Sequence, residues 1–462
     1  MKEFSVTHLV KTTAGILEMP SGTGSPLSFT GVSTDSRTVK AGDCFFAIAG
    51  EKFDGHDYVS EAFAKGAVCA VVSRKLEADK FAGRCLVRVE DTIKALGVLA
   101  TEYRRQAGFK VVAITGSVGK TTTRQIIHHV LGRHFRVHQS PGSFNNNIGV
   151  PLTLLGAASG VQIVIAELGS NHPGEISCLT RIAEPDIAIV TNVHPAHLEG
   201  FGDLQTIVHE KLSISQGLKP EGTLIINADF EPLVNACRAR GIRFTTFGQS
   251  EGSKYRVKNV RTDGSTSRFT IDDREVCLPL PGPGNVENAL AAWAVCSELG
   301  LGADDFERAL ETLPPVSMRA ELLHVGTLTI LSDCYNANPA SMRNALKILA
   351  GLEPADKNRL VFICGQMAEL GPQAAELHAE LGASIAQAGV KLVVAVGELA
   401  KIAGQNAKAN AEYDLQVKCF PDTICACNNL HEFIKDYDII LIKGSRTAKL
   451  EMVVKKLKEL QI

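Results

Sequence analysis

The segment Thr115-Gly-Ser-Val-Gly-Lys-Thr-Thr-Thr123 carries the residue types that hold phosphate. Its glycines allow a tight turn whose backbone N–H groups face an anion. Lys120 neutralises phosphate charge, and the Thr121 hydroxyl reaches Mg²⁺. The common form of such a loop, G-x-x-x-x-G-K-[ST], has a glycine five residues before Gly119, and here that residue is Ile114. The context is still that of a nucleotide site. Lys110 to Thr115 reads as a strand, Gly116, Ser117, Val118 and Gly119 as the turn, and Thr121 to Leu131 as a helix burying Ile126, Ile127, Val130 and Leu131. Thr122 lies in the first turn of that helix.

Two further stretches place polar groups beside it. "VQIVIAELGSNHPGEI" puts Glu167 at the carboxyl end of an apolar strand, and "PDIAIVTNVHPAHLEGFG" puts His194 and His197 just past the next one. Open parallel sheets bind ligands outside the carboxyl ends of their strands, so Glu167 and His197 are expected on the side of the phosphate loop. A carboxylate and an imidazole beside phosphate oxygens make a plausible Mg²⁺ shell. His194 reads as structural. Asn145, Asn146 and Asn147 precede an apolar segment, where Asn-rich loops serve as turns or as polar contacts.

The elements that must position these residues form an α/β protein of three units. Residues 1–84 read as a small α/β unit, with "GDCFFAIAG" and "AVCAVV" as strands and "DYVSEAFAKGA" as a helix. Residues 86–108 read as a helical connection. The central unit, 85–313, contains the apolar runs "KVVAIT", "VQIVIAEL", "PDIAIVTN", "GTLIINAD" and "IRFTTFG" separated by helices, the pattern of a buried, mostly parallel sheet. "KYRVKNVRT", "TSRFTI" and "REVCLPL" follow as an antiparallel ribbon, and "LPGPGN" breaks the chain before a helix. After "LPPVSMR" the α/β alternation restarts with "LTILSD", "RLVFIC", "KLVVAV" and "YDIILIKG", giving a third unit over 314–462.

Composition agrees with a soluble globular protein of the cytoplasm. The net charge is -2 and no basic run stands out, which disfavours nucleic acid as a partner. No apolar run approaches the ~18 residues of a membrane span. The N-terminus lacks the apolar stretch of a signal peptide. Twelve cysteines without a C-x-x-C read as reduced thiols, and Cys419, Cys425 and Cys427 have the wrong spacing for zinc.

Taken together, "TGSVGKTTT", "NNNIGVPLTLL", "ELGSNHPGEI", "AHLEGFG", "GNVENALAA", "DCYNANPASM" and "IKGSR" resemble, in order, the motifs of the Mur ligase family of bacterial cell-wall synthesis. The resemblance covers essentially the whole chain and explains the absent early glycine, since this family's loop lacks it. "YNANP", with "NHPGEI" and "HLEGFG", looks most like the members that join D-alanyl-D-alanine to UDP-N-acetylmuramoyl-tripeptide. It implies a uridine-nucleotide domain, a central P-loop ATPase-like domain and a Rossmann-like C-terminal domain. The implied reaction uses ATP to turn the tripeptide carboxylate into an acyl phosphate, which the dipeptide amine attacks.

The resemblance also implies roles. Gly116, Ser117, Gly119, Lys120, Thr121 and Thr122 hold phosphate. Thr121, Glu167 and His197 hold Mg²⁺, and Lys211 is a carbamylated lysine that adds an anionic ligand for a second ion. Leu212 and Ser213 follow Lys211 where the family has Gly-Glu. Asn285 and Asn288 lie on the adenine side, joined by Arg319 and Asp333. Asn145, Asn146, Tyr335, Asn336, Asn338, Lys443, Ser445 and Arg446 face the peptide substrates. Ser33, Asp35, Ser36, Arg37 and His56 face the UDP-sugar. Gln366 stands where an aspartate is common, and His194 where glycine is frequent. A related ligase adding a single amino acid, a folylpolyglutamate synthetase and a non-catalytic nucleotide-binding protein remain as alternatives. A monomer is expected.

Overall fold

The computed structural model describes residues 1–18, 27–76, 81, 83–352 and 358–460. Its centre is a seven-stranded sheet in the order Tyr255–Arg256, Thr245–Gly248, Thr223–Asn227, Ile187–Val190, Lys110–Thr115, Ile163–Glu167, Val137–Gln139. All its pairings are parallel. The β-branched runs take this place because helices cover both faces. Along Lys110–Thr115, Val111 and Ala113 enter one apolar core while Val112 and Ile114 enter another. Ile114 is therefore a fully buried strand residue, paired with Glu167 on one side and Ile189 on the other. An early loop glycine has no place there.

The chain leaves Lys110–Thr115 toward one edge and later crosses to the other side of it. That strand is the switch point of the sheet, where a crevice opens between diverging connections. The register levels its neighbours: Thr115 pairs with Val190, and Glu167 with Ile114. The phosphate loop, Glu167 and the turn after Val190 thus emerge side by side.

An antiparallel ribbon, Lys258–Asp263, Thr266–Ile271 and Arg274–Leu278, packs Phe269, Ile271, Val276 and Leu278 into the same core as Trp293 of the helix Pro283–Glu298. Tyr255–Arg256, expected in this ribbon, instead pairs parallel with Thr245–Gly248. A six-stranded sheet follows in the order Glu321–Val325, Leu328–Ser332, Ile439–Lys443, Leu360–Gly365, Leu392–Val396, Gln416–Phe420, parallel except for its first strand. The N-terminal sheet has five strands, Ile16–Glu18, Cys85–Arg88, Cys69–Val72, Asp43–Phe46 and Gly31–Ser33. Cys85–Arg88 pairs with Cys69–Val72, so this sheet continues to residue 88, past the boundary expected at 84.

The helix Thr92–Ala107 ties the first unit to the second. Asp91 caps its start by accepting from the Ile93 and Lys94 amides, and Gly108 ends it at φ 73°. Buried Tyr103 donates its hydroxyl to the Ala157 carbonyl at 2.6 Å and accepts from the Lys2 amide at 3.2 Å. Arg104 donates to Asp186 at 2.9 Å. Tyr103→Phe is expected to leave the Ala157 carbonyl unpaired and to cost about 1 kcal/mol. Urea unfolding measures this, and an unchanged midpoint would show that the bond adds nothing net.

Candidate active site

The loop closes because two positions have no side chain. A Cβ on Gly116, which sits at φ 147°, would stand 2.0 Å from the Thr191 hydroxyl oxygen. One on Gly119, at φ 86°, would stand 1.9 Å from Asn288 Oδ1. Lys120 curls back and donates to the Gly116 carbonyl at 2.7 Å. The next strand end braces the turn. Val118 N–H donates to Asn192 Oδ1 at 2.9 Å, Thr191 Oγ1 donates to the Val118 carbonyl at 2.7 Å, and Ser117 N–H donates to the Asn192 carbonyl at 3.1 Å. Ser117 Oγ also donates to the His194 carbonyl at 2.9 Å. His194 thus acts mainly through its backbone, with its ring set edge-on to Phe230.

Glu167 is buried beside Lys120. Thr121 Oγ1 lies 3.0 and 3.2 Å from its two oxygens. Arg124, also buried, donates to Glu167 at 3.2 Å, to Gln139 at 2.8 Å and to the Gly142 carbonyl at 3.0 Å, and it bonds the Ser140 carbonyl. Asn145 Nδ2 approaches Glu167 at 3.4 Å. Asn146 is used locally, accepting from the Gly149 amide at 2.8 Å and shaping the start of the helix Gly149–Leu155.

Lys211 is buried on the helix Leu204–Leu212 and donates to Ser170 Oγ at 2.8 Å. Burial, reinforced by the Lys120 charge, pushes its pKa down to about 7. Burial likewise lowers the pKa of Lys120, against the opposing pull of Glu167. His197 stands at φ 52° and its Nδ1 bonds Glu369 from the third unit.

The third unit closes the site. Lys443 is buried and donates to Asp333 Oδ2 at 2.6 Å and to the Asn336 carbonyl at 2.9 Å. Arg319 lies over the Tyr335 ring at 4.2 Å and Arg446 at 5.7 Å, while the Tyr335 hydroxyl bonds Ser143 of the central unit. Asn338 caps the helix Pro339–Gly351 through a reciprocal bond with Ser341.

A cavity of about 520 Å³ joins these groups. Ser117, Gly119, Lys120, Thr121, Thr122, Asn145, Asn146, Glu167 and His197 line it from the central unit, with Asn285 and Asn288. Arg319, Asp333, Tyr335, Asn336, Asn338, Lys443 and Arg446 line it from the third. Gly116 and Lys211 stand one residue behind the wall, behind Lys120 and Ser170. Ser445 is also outside the lining, its hydroxyl 3.1 Å from that of Thr447. Asn285 also donates to the Pro281 carbonyl at 2.7 Å, holding the turn ahead of its helix. Gln366 is not a wall residue; its carbonyl accepts from Ser445 N–H at 3.0 Å. Ser143, Ser170 and Glu369 line the wall, and Arg124 supports it, without being singled out by the sequence.

Ser33, Asp35, Ser36, Arg37 and His56 do not line this cavity. Ser36 Oγ donates to Glu61 at 3.0 Å, and Ser33 Oγ to the Asp35 carbonyl at 2.9 Å. Arg37, exposed, pairs with Asp35 at 2.7 Å and holds that carboxyl down near 2. His56 is buried with both ring nitrogens engaged, Nδ1 on Asp54 at 2.6 Å and Nε2 accepting from Ser73 N–H at 2.9 Å. It ties its turn, through Asp54, to Ser73 at the end of the strand Cys69–Val72 and has no ring nitrogen left for a sugar.

Oxygen donors of this kind suit a hard cation. Among the described residues no three His, Cys, Asp or Glu side chains form a metal cage. Mg²⁺ needs none, since it binds one or two carboxylates together with substrate phosphates. The Thr121–Glu167 pair beside Lys120 meets that requirement.

Three family models match the chain: the Mur ligase family catalytic domain over 28–104, the Mur ligase middle domain over 114–296, and the Mur ligase glutamate ligase domain over 318–446. The UDP-N-acetylmuramoyl-tripeptide–D-alanyl-D-alanine ligase of Bacillus subtilis is 36% identical, with 93% of each chain covered. Its Escherichia coli counterpart is 34% identical over 94% of this chain and 95% of its own. A crystal structure of MurF from Acinetobacter baumannii superposes with a TM-score of 0.88 at 29% identity, covering 99% of both chains. MurF from Thermotoga maritima in complex with ADP gives 0.81 at 28% identity, covering 93% of this chain and 97% of that one. From its phosphate loop to its last sheet, the chain belongs to the Mur ligase family.

Proposed function

We propose that this protein is an ATP-dependent ligase that joins D-alanyl-D-alanine to UDP-N-acetylmuramoyl-tripeptide. One observation carries the reading. A single cavity opposes the phosphate loop and Glu167 to the Arg319 and Arg446 guanidiniums that flank the Tyr335 ring. Relatives of this name, similar over nearly the full chain, support the substrate pair.

The chemistry explains the charge. A carboxylate is a poor electrophile, so its oxygen first attacks the γ-phosphorus of ATP. A C–O–P linkage forms and ADP leaves. The dipeptide amine then attacks the acyl carbon, phosphate departs, and the amine loses a proton. In the first step one anion approaches another. Lys120, with Arg319 across the cavity, offsets that repulsion. The remaining work is positioning, by the Asn145 loop, Asn336 and Tyr335.

Thr121, Glu167 and His197 would hold Mg²⁺, with Lys211 contributing to a second ion. When bound, Mg²⁺ neutralises charge shared between phosphate oxygens. Lys211 suits carbamylation, because only a neutral amine adds CO₂, and an amine that titrates near 7 is substantially neutral at physiological pH. The end of the strand Gly31–Ser33 and the Asp35–Thr38 turn after it would hold the UDP-sugar through Ser33, Asp35, Ser36 and Arg37. The expected state is a monomer. Among the described residues no helix is long and apolar enough to cross a membrane. A reaction that uses ATP and a UDP-linked substrate is expected in the cytoplasm.

Phosphate release should require ATP, Mg²⁺, the tripeptide nucleotide and D-alanyl-D-alanine together. Release without the dipeptide would sink the ligase reading. Lys120→Ala should lower turnover about 10²–10³-fold, and near-wild-type release would remove Lys120 from the chemistry. The neutral fraction of Lys211 should grow as pH rises through about 7. A ¹³C-carbamate signal from labelled bicarbonate should grow with it and vanish in Lys211→Ala. Onset only near the ordinary 10.5 would refute the buried-amine argument. The unfolded chain keeps this proton to higher pH. The destabilisation from burying Lys211 is therefore full below about 7 and is relieved as pH rises toward 10.5.

A further inference from the structure

We propose that Glu369 is a positioning residue that fixes the His197 imidazole and thereby makes the cation site depend on docking of the C-terminal unit. The proposal rests on the ligase reading above. His197 follows the strand Ile187–Val190 of the central sheet, whereas Glu369 follows the strand Leu360–Gly365 of the third unit. The Glu369 carboxylate bonds His197 Nδ1, and the Glu369 carbonyl accepts from Glu199 N–H at 3.2 Å. Side chain and backbone therefore grip the same turn.

The two residues that meet are both held in an unfavourable backbone state. His197 sits at φ 52° and Glu369 at φ 61°, in the left-handed region that side-chain-bearing residues seldom occupy. Each is aimed at the other, and both line the cavity.

The consequence is chemical. A carboxylate at Nδ1 selects the tautomer with the proton on Nδ1, which leaves the Nε2 lone pair free. Among the described residues Nε2 has no hydrogen-bond partner, while Nδ1 has this one. A carboxylate behind an imidazole also raises its basicity as a ligand and fixes its ring plane. With the third unit undocked, His197 has neither tautomer nor orientation set. Docking then completes the cation site at the moment the Arg319 and Tyr335 wall arrives, so ATP is not committed before the acceptor is enclosed.

The test uses the full chain with a non-hydrolysable ATP analogue and Mn²⁺ as the probe, followed by electron paramagnetic resonance of free Mn²⁺. Glu369→Ala should weaken nucleotide-dependent Mn²⁺ binding about tenfold or more, and Glu369→Gln by less, since its amide oxygen still accepts. His197→Ala should lose at least as much. The double variant should lose no more than His197→Ala alone, because Glu369 acts through that ring. Additive losses, or Mn²⁺ binding in Glu369→Ala equal to wild type, would overturn the proposal while leaving the ligase reading intact. Wild-type protein that binds Mn²⁺ no better with the analogue than without would overturn both.

Discussion

A buried arginine–carboxylate pair organises the site. Arg124 and Glu167 meet at 3.2 Å with both side chains about 2% exposed. Removing two such charges from water costs several kcal/mol per ion, and their attraction offsets this only if their remaining hydrogen bonds are met. The fold meets them. Arg124 takes the Ser140 and Gly142 carbonyls and the Gln139 amide, and Glu167 takes Thr121. The residues that satisfy Arg124 begin the segment that carries Ser143 and Asn145. Ser143 then reaches Tyr335 in the third unit. One desolvated ion pair thus shapes the loop through which two units share a cavity.

Two buried lysines show how differently the same charge is handled. Lys443 has a carboxylate at 2.6 Å and a carbonyl at 2.9 Å, and it clamps the Asp333–Asn336 turn as a structural cation. Lys211 has a hydroxyl at hydrogen-bond distance and the Phe201 ring at 5.7 Å. A hydroxyl cannot balance an ammonium out of water, so Lys211 moves toward its neutral form. A buried amine without a counter-ion is a nucleophile in waiting, whereas a paired one is a bolt.

The sequence made the sheet ends legible because strand, glycine turn and helix are local patterns. Gly116 and Gly119, Lys120, Thr121 and Glu167 all belong to such patterns, and the register that levels them is a general property of parallel sheets. The supports were not legible. Arg124 reads as an ordinary helix residue until the loop 15 to 18 positions later folds over it. Glu369 and Tyr335 act on partners 172 and 192 residues away. Strands of two or three residues, such as Tyr255–Arg256 and Val137–Gln139, carry too few residues for alternation to show. The family resemblance supplied roles for the third unit that spacing alone does not.

Three histidines mark where pattern reading stops. His194 and His197 follow the strand Ile187–Val190 and His56 lies in the short helix Gly55–Tyr58, and residue type does not separate them. The fold separates them by what each ring nitrogen meets. Both nitrogens of His56 are consumed inside the first unit, one by Asp54 and one by Ser73 past the strand Cys69–Val72, so it is a peg. His194 spends its backbone on Ser117 and turns its ring to Phe230. In His197 one nitrogen is held by a carboxylate from another unit and the ring lines the cavity. An imidazole becomes a ligand when one side is fixed and the other is left open. At His197 the fixed side comes from a second chain segment, and for that reason the arrangement is written in the tertiary structure and not in either motif.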